Sequence, residues 1–116
     1  MNDLLLLALF FVGGGLLLIA ISIPLIQRRV KPNSWYGFRT PTTLSNEAIW
    51  YDANAYAGRW LLAVGTVGLV TAIALAFVPS ISVNAYAWTF LIVFGIAMAA
   101  MVIASFRYLN KIKASN

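Results

Sequence analysis

The chain alternates between apolar and polar stretches on the scale of whole helices: three long uncharged runs, one long polar segment after the first, and one short turn between the second and third. The first run, residues 4–26, holds 23 positions without a charge. As a helix rising about 1.5 Å per residue it is roughly 34 Å long, enough to cross a hydrocarbon layer of about 30 Å with some tilt. Pro24 falls in its last turn and is expected to kink or end it. Residues 60–78 form the second run, stopped by Pro79, and residues 85–106 the third, followed by Arg107, which gives spans of about 58–78 and 85–107. Residues 79–84 are an uncharged connection suited to two antiparallel helices. The pattern predicts an all-α integral membrane protein with three transmembrane helices, organised as a single membrane domain over residues 1–116.

Between the first two runs lies the polar segment, expected as a loop over 27–45 and a helix extension over 46–57. Ser45 is a suitable N-cap, and Asn46 and Glu47 fall in the first turn, where a carboxylate suits the helix dipole. Leu44 and Ile49 are spaced as a hydrophobic staple. No proline occurs from Asn46 until Pro79, so the second helix can run about 50 Å and must project from the bilayer or bend along it. Gly58 is the expected bend point.

Composition sharpens this picture. Apolar residues make up 62% of the chain and charged ones 9%, against about 25% charged in soluble domains. Lipid is therefore the expected solvent and main partner. The net charge of +5 reads as basic residues facing anionic lipid, not as a nucleic-acid footprint. Arg28, Arg29, Lys31 and Arg39 follow the first run, Arg59 opens the second, and Arg107, Lys111 and Lys113 follow the third. If the spans alternate, all lie on one side, and the other side carries Asp3. The positive-inside rule then places the amino terminus outside and the polar loop and carboxyl tail in the cytoplasm. The first run is longer than a signal-peptide core, with Asp3 and no basic residue before it, so a retained span is expected.

The sequence has no cysteine and no histidine. Zinc, haem and iron–sulfur centres lose their usual ligands, and histidine-assisted or thiol nucleophiles are excluded. No metal and no cofactor is expected. The spans carry no Asp, Glu, Lys or Arg in their cores, which argues against an ion-coupled pump.

Candidate chemistry is concentrated in the polar segment. Pro32 disfavours helix at Lys31, and Asn33 is placed for an Asx-turn. Trp35 and Tyr36 suit the headgroup level. Gly37 signals a backbone angle or a close approach that a side chain would block. Arg39, between Gly37 and Thr40, can hold a carboxylate or phosphate by two parallel bonds, pair internally with Glu47 or Asp52, or contact lipid. On the helix that follows, Glu47, Trp50, Asn54 and Gly58 share one face. That face either lines a pocket roofed by loop 32–40 or packs against the loop as a brace. Asn54 at a membrane boundary is costly unless bonded, and the loop backbone is its expected partner. Asp52, on another face with Tyr56 and Arg59, can pair with either of them. Small residues recur at four-residue spacing, Gly68, Ala72 and Ala76 in the second span and Gly95 and Ala99 in the third, while Gly13, Gly14 and Gly15 flatten the first. Such stripes serve packing within the chain or a homo-oligomer.

The run Pro32-Asn33, Tyr36-Gly37-Phe38-Arg39-Thr40, Thr43-Leu44, Asn46, Trp50, Ala53-Asn54 and Gly58 resembles the signature of the SdpI/YfhL-like family. That is the family of the immunity protein against the sporulation-delaying toxin of bacilli. The resemblance implies a multi-pass protein of the bacterial inner (plasma) membrane, acting in immunity or signalling through a membrane-active peptide or a cytoplasmic regulator. It also implies a functional face at Pro32, Asn33, Tyr36, Gly37, Arg39, Thr40, Trp50 and Asn54, to which Glu47 is added from its place on the same helix face. The competing function is an oligomeric small-solute transporter or channel subunit, drawing on Ser22, Thr66, Thr71, Thr89 and Ser105. A membrane enzyme using Glu47, Asp52 and Arg39 has no recognised catalytic spacing, so no catalytic residue is assigned.

Overall fold

The computed structural model describes residues 2–115. They form four helices, α1 (Asp3–Ile26), α2 (Pro41–Ser45), α3 (Glu47–Ala76) and α4 (Val83–Ser115), with no strand among the described residues. Three of them, α1, α3 and α4, are long and apolar enough to cross a membrane. The body measures 54 × 22 × 19 Å, elongated along the helices. α3 is the central element: α1 and α4 each pack along it and touch one another little.

Much apolar surface faces outward, including Phe10 and Ile96 at 73% and 68% exposure. A soluble bundle could not tolerate this, but lipid is as apolar as these side chains. Packing then rests on close approach and on satisfied polar groups. Gly15 and Gly65 provide the approach between α1 and α3. A Cβ at Gly15 would lie 3.0 Å from the Leu69 amide nitrogen, and one at Gly65 would lie 3.1 Å from the Gly15 carbonyl. Gly58, the expected bend point, has a different role. α3 runs through it without a break, and a Cβ there would sit 3.0 Å from that of Leu25. Gly68 faces the ring of Phe94, and Ala72 is wholly buried. The remaining small residues, Gly13, Gly14, Ala76, Gly95 and Ala99, are exposed.

Helix ends explain the loop that follows. Pro24 stays inside the last turn of α1. The helix closes when Arg28 N–H donates to the Leu25 carbonyl and Arg29 N–H to that of Pro24, with Arg28 at φ 58. This is the Schellman pattern with an arginine where glycine is usual. The start of α3 differs from expectation by one residue. Thr40 and Thr43 form a capping box and Pro41 takes the first position of α2, which uses residues 41–45. Ser45 turns its hydroxyl back to the Thr42 carbonyl, so Asn46 caps α3 instead, accepting from Ile49 N–H at 3.2 Å. Leu44 is left half exposed, two positions before the cap. At the other end α4 continues past Arg107 to Ser115, so the carboxyl tail is helical.

Candidate functional site

Residues 27–40 have no regular structure, so their backbone groups need partners from side chains or water. Three buried side chains of α2 and α3 meet that demand. Trp50, with no exposed surface, donates its indole N–H to the Val30 carbonyl at 2.7 Å. Asn54 treats Phe38 as a neighbouring strand would: its Oδ1 accepts from Phe38 N–H at 2.6 Å, and its Nδ2 donates to the Phe38 carbonyl at 3.3 Å and to the Trp50 carbonyl at 2.9 Å. Thr43 adds a hydroxyl bond to the Phe38 carbonyl at 2.9 Å. The bond from Asn54 to the loop backbone is the one its position at the membrane boundary called for.

Within the loop, Asn33 Oδ1 accepts from the amides of Trp35 and Tyr36 at 2.7 and 2.8 Å, and Nδ2 donates to the Lys31 carbonyl at 2.6 Å. This is the Asx-turn after Pro32. Gly37 has φ 113, and a Cβ there would fall 2.7 Å from Asn54 Oδ1 and 3.3 Å from the Trp50 ring. Both reasons for glycine apply at once: the backbone angle and the close approach. Tyr36 sends its hydroxyl to the Ile21 carbonyl at 3.3 Å, and burial pushes its phenol above the ordinary value. Phe38 meets Phe106 edge-on at 5.0 Å and packs on the cluster of Ile49, Ala53 and Leu109.

The structure thus brings Asn33, Tyr36, Gly37, Thr40, Trp50 and Asn54 into one network, with Pro32 at its turn. Two residues stand apart from it. Glu47 is exposed in the first turn of α3. Arg39 is exposed and its Nη1 donates to the Ser34 carbonyl, instead of pairing with Glu47 or Asp52. Asp52 also differs from expectation. Its Oδ1 accepts from the Tyr108 hydroxyl at 2.7 Å and lies 3.7 Å from Arg28, which ties α3 to α4 and to the end of α1. Tyr56 and Arg59 join the group indirectly: Tyr56 stacks on Tyr108 at 4.1 Å and Arg59 lies over Tyr56 at 6.0 Å. Helical spacing alone favoured neighbours on α3, whereas the folded chain offers Asp52 a hydroxyl from another helix.

Trp50 and Asn54 do not line a pocket; their side chains are consumed in holding the loop. A cleft of about 340 Å³ adjoins the loop at Tyr36, Gly37 and Phe38. Tyr36, Gly37 and Phe38 border it above, Ile21 and Leu25 of α1 and Ala57 and Leu61 of α3 form its walls, and Met101, Val102, Ser105 and Phe106 come from α4. Ser105 and the outward Trp35, 87% exposed, are the features that sequence reasoning passed over as site residues. No group of acidic residues that could hold a metal ion occurs among the described residues.

Against known families, residues 29–105 match the SdpI/YfhL protein family. The uncharacterized protein YfhL of Bacillus subtilis (strain 168) is 40% identical over 57 residues, covering 48% of this chain and 51% of that relative. The chain therefore spans about half the length of that curated relative. No solved structure matches it.

Proposed function

Because the chain belongs to the SdpI/YfhL protein family, we propose that it is a membrane immunity- or signalling-type binding protein whose recognition face is the outer side of loop 32–40. The observation that carries this reading is the division of labour in the loop. Trp50, Asn54 and Thr43 fix its backbone from beneath, while Trp35 and Arg39 are held outward. A loop serving only to join two helices needs neither a buried asparagine to index it nor an exposed indole. An exposed indole and an exposed guanidinium on one short loop suit a partner that offers apolar surface and a carboxylate or phosphate. A hydrophobic membrane-active peptide or an acidic patch on a cytoplasmic regulator has that chemistry. With the basic residues on the cytoplasmic side, the face is open to partners arriving from the cytoplasm or along the inner leaflet.

The test is survival of a peptide-sensitive bacterium producing the wild type, Trp35→Ala or Arg39→Ala, challenged with a hydrophobic membrane-active peptide. Native mass spectrometry of each protein released from its membrane accompanies it. Protection by the wild type, lost in both variants at unchanged membrane levels, together with a peptide or protein adduct kept only by the wild type, is the expected result. Full activity of both variants overturns the reading.

A further inference from the structure

Asp52 takes no part in the network that braces the loop from α3, yet it is held on two sides. The chain has three acidic residues, Asp3, Glu47 and Asp52. Asp52 makes the one ion pair among the described residues, at 3.7 Å to Arg28, and the same oxygen accepts from the Tyr108 hydroxyl at 2.7 Å. Neither contact involves residues 32–40. Asn54, which does hold those residues, follows Asp52 by two positions, about 200° around the helix. The two side chains therefore leave α3 on nearly opposite sides.

Both contacts of Asp52 fall where the loop is placed. Arg28 opens the irregular segment and has φ 58. Glycine takes that angle without strain and arginine does not. What arginine adds there is a guanidinium that reaches Asp52. The two side chains are 52% and 36% exposed, so the pair adds little stability. Its consequence is one of place: the start of the loop is tied to α3.

Tyr108 acts on the middle of the loop. Its neighbour Leu109 packs with Ile49 and with Ala53, the neighbour of Asp52, and Phe38 of the loop rests on that cluster and edge-on against Phe106. The Tyr56 ring lies parallel to the Tyr108 ring at 4.1 Å, which leaves the phenol little freedom to turn away from the carboxylate. The bond from Tyr108 to Asp52 therefore sets the register of α4 against α3 at the level where Phe38 is seated.

We infer that Asp52 is a positioning residue for the outer face of the loop. Through Arg28 it holds the start of the loop, and through Tyr108 it holds the seat of Phe38. Trp35 and Arg39 lie three positions before and one after Phe38, so a shift of that seat moves both. Trp50 and Asn54 fix the loop on α3, whereas Asp52 keeps it in register with the end of α1 and with α4. This role rests on the reading of the outer face as the recognition surface.

The experiment uses the full chain purified in detergent and reads amide hydrogen exchange at Trp35, Tyr36 and Phe38, whose N–H groups are bonded in the folded loop. Asp52→Ala removes both contacts and is expected to speed exchange at these amides about tenfold, with the amides of α3 beyond Gly58 unchanged. Asp52→Asn keeps an acceptor for Tyr108 and loses the charge that meets Arg28, so a rise of about threefold is expected. The control is Tyr86→Phe, which also deletes one hydrogen bond between α3 and α4 but at the far end. Loop exchange stays at the wild-type rate in that variant. In the survival assay Asp52→Ala loses protection at unchanged membrane levels, and Tyr86→Phe keeps it.

Wild-type exchange at the three amides in Asp52→Ala overturns the inference. So does equal acceleration by Tyr86→Phe, since any loosening of the helix pair would then suffice. Loop exchange needs no ligand, so the positioning role can fail while Trp35→Ala and Arg39→Ala still abolish protection. If those two variants stay fully active, the recognition face falls, and the exchange rates still decide whether Asp52 places the loop.

Discussion

At the loop end of the bundle, Trp50, Asn54 and Thr43 reach from helices to the carbonyls and one amide of an irregular segment. At the far end, where α3 hands over to α4, the contacts are ring on ring, with Phe11, Phe90 and Phe94 stacked. Among the described residues one buried hydrogen bond joins α3 and α4 there, from the Tyr86 hydroxyl to the Ala72 carbonyl at 2.6 Å. The contrast follows from what each backbone lacks. Helices at the far end satisfy their own amides and need only shape and one tether, since apolar burial gains little in lipid. The loop answers part of its backbone with its own side chains, Asn33 above all, and the rest with side chains of the helices, so each helix side chain that reaches it also fixes where the loop lies. Rigidity at the loop end is a matter of specific polar partners; at the far end it is a matter of fit.

Three substitutions, one of them paired with a control, test this contrast from the largest expected effect to the smallest. Asn54→Ala removes both bonds to Phe38 and strands its amide in a partly buried site. A loss of about 3 kcal/mol is expected from two bonds and one unmade donor. Proteolytic cleavage within residues 30–40 that rises well before the helices melt would mark it as a loop effect. Cleavage and melting unchanged from wild type would show that the loop does not depend on its brace. Gly37→Ala should cost about 2 kcal/mol, from the positive φ and from the clash with Asn54 Oδ1. Its partner measurement is Gly95→Ala, where nothing lies within 4 Å and no loss of melting temperature is expected. Equal melting shifts for the two would remove the distinction between a required and a merely small residue. Tyr86→Phe keeps the ring and deletes the tether, so a loss of about 1 kcal/mol is expected, as for other hydrogen bonds between membrane helices. If thermal unfolding of Tyr86→Phe matches that of Asn54→Ala, the far end is as dependent on polar partners as the loop end.

The candidate site was partly legible because some residue types announce their need. Asn54 in an apolar helix has to be bonded, and the nearest unsatisfied backbone is the loop before it. Gly37 between bulky neighbours signals an approach, although not that Asn54 and Trp50 make it. Asp52 was misread because spacing along one helix ranks neighbours on that helix. Tyr108, 56 positions away, enters only when α4 folds back. The shift of the N-cap from Ser45 to Asn46 has a similar origin. Either residue can cap, and the choice fell to the short helix α2, which took Ser45 for itself. Ser105 was weighed only as one polar group of a transport path, and that it lacks a bond to its own helix could not be read from sequence, since a lone serine in an apolar span usually makes one.

Length and hydropathy by themselves determined that the chain is a set of three membrane-spanning helices with one polar segment between the first two. The physical reason is local: a run of twenty or so apolar residues can satisfy its backbone in lipid only as a helix, whatever its neighbours do. Tertiary structure alone decided which glycines touch, which carbonyls Trp50 and Asn54 hold, that Trp35 and Arg39 stay exposed, and that α1, α3 and α4 leave a cleft beside the loop. Those outcomes depend on distances between segments far apart in the chain, and lipid, which favours no apolar face over another, leaves them to the close packing and hydrogen bonding of the folded whole.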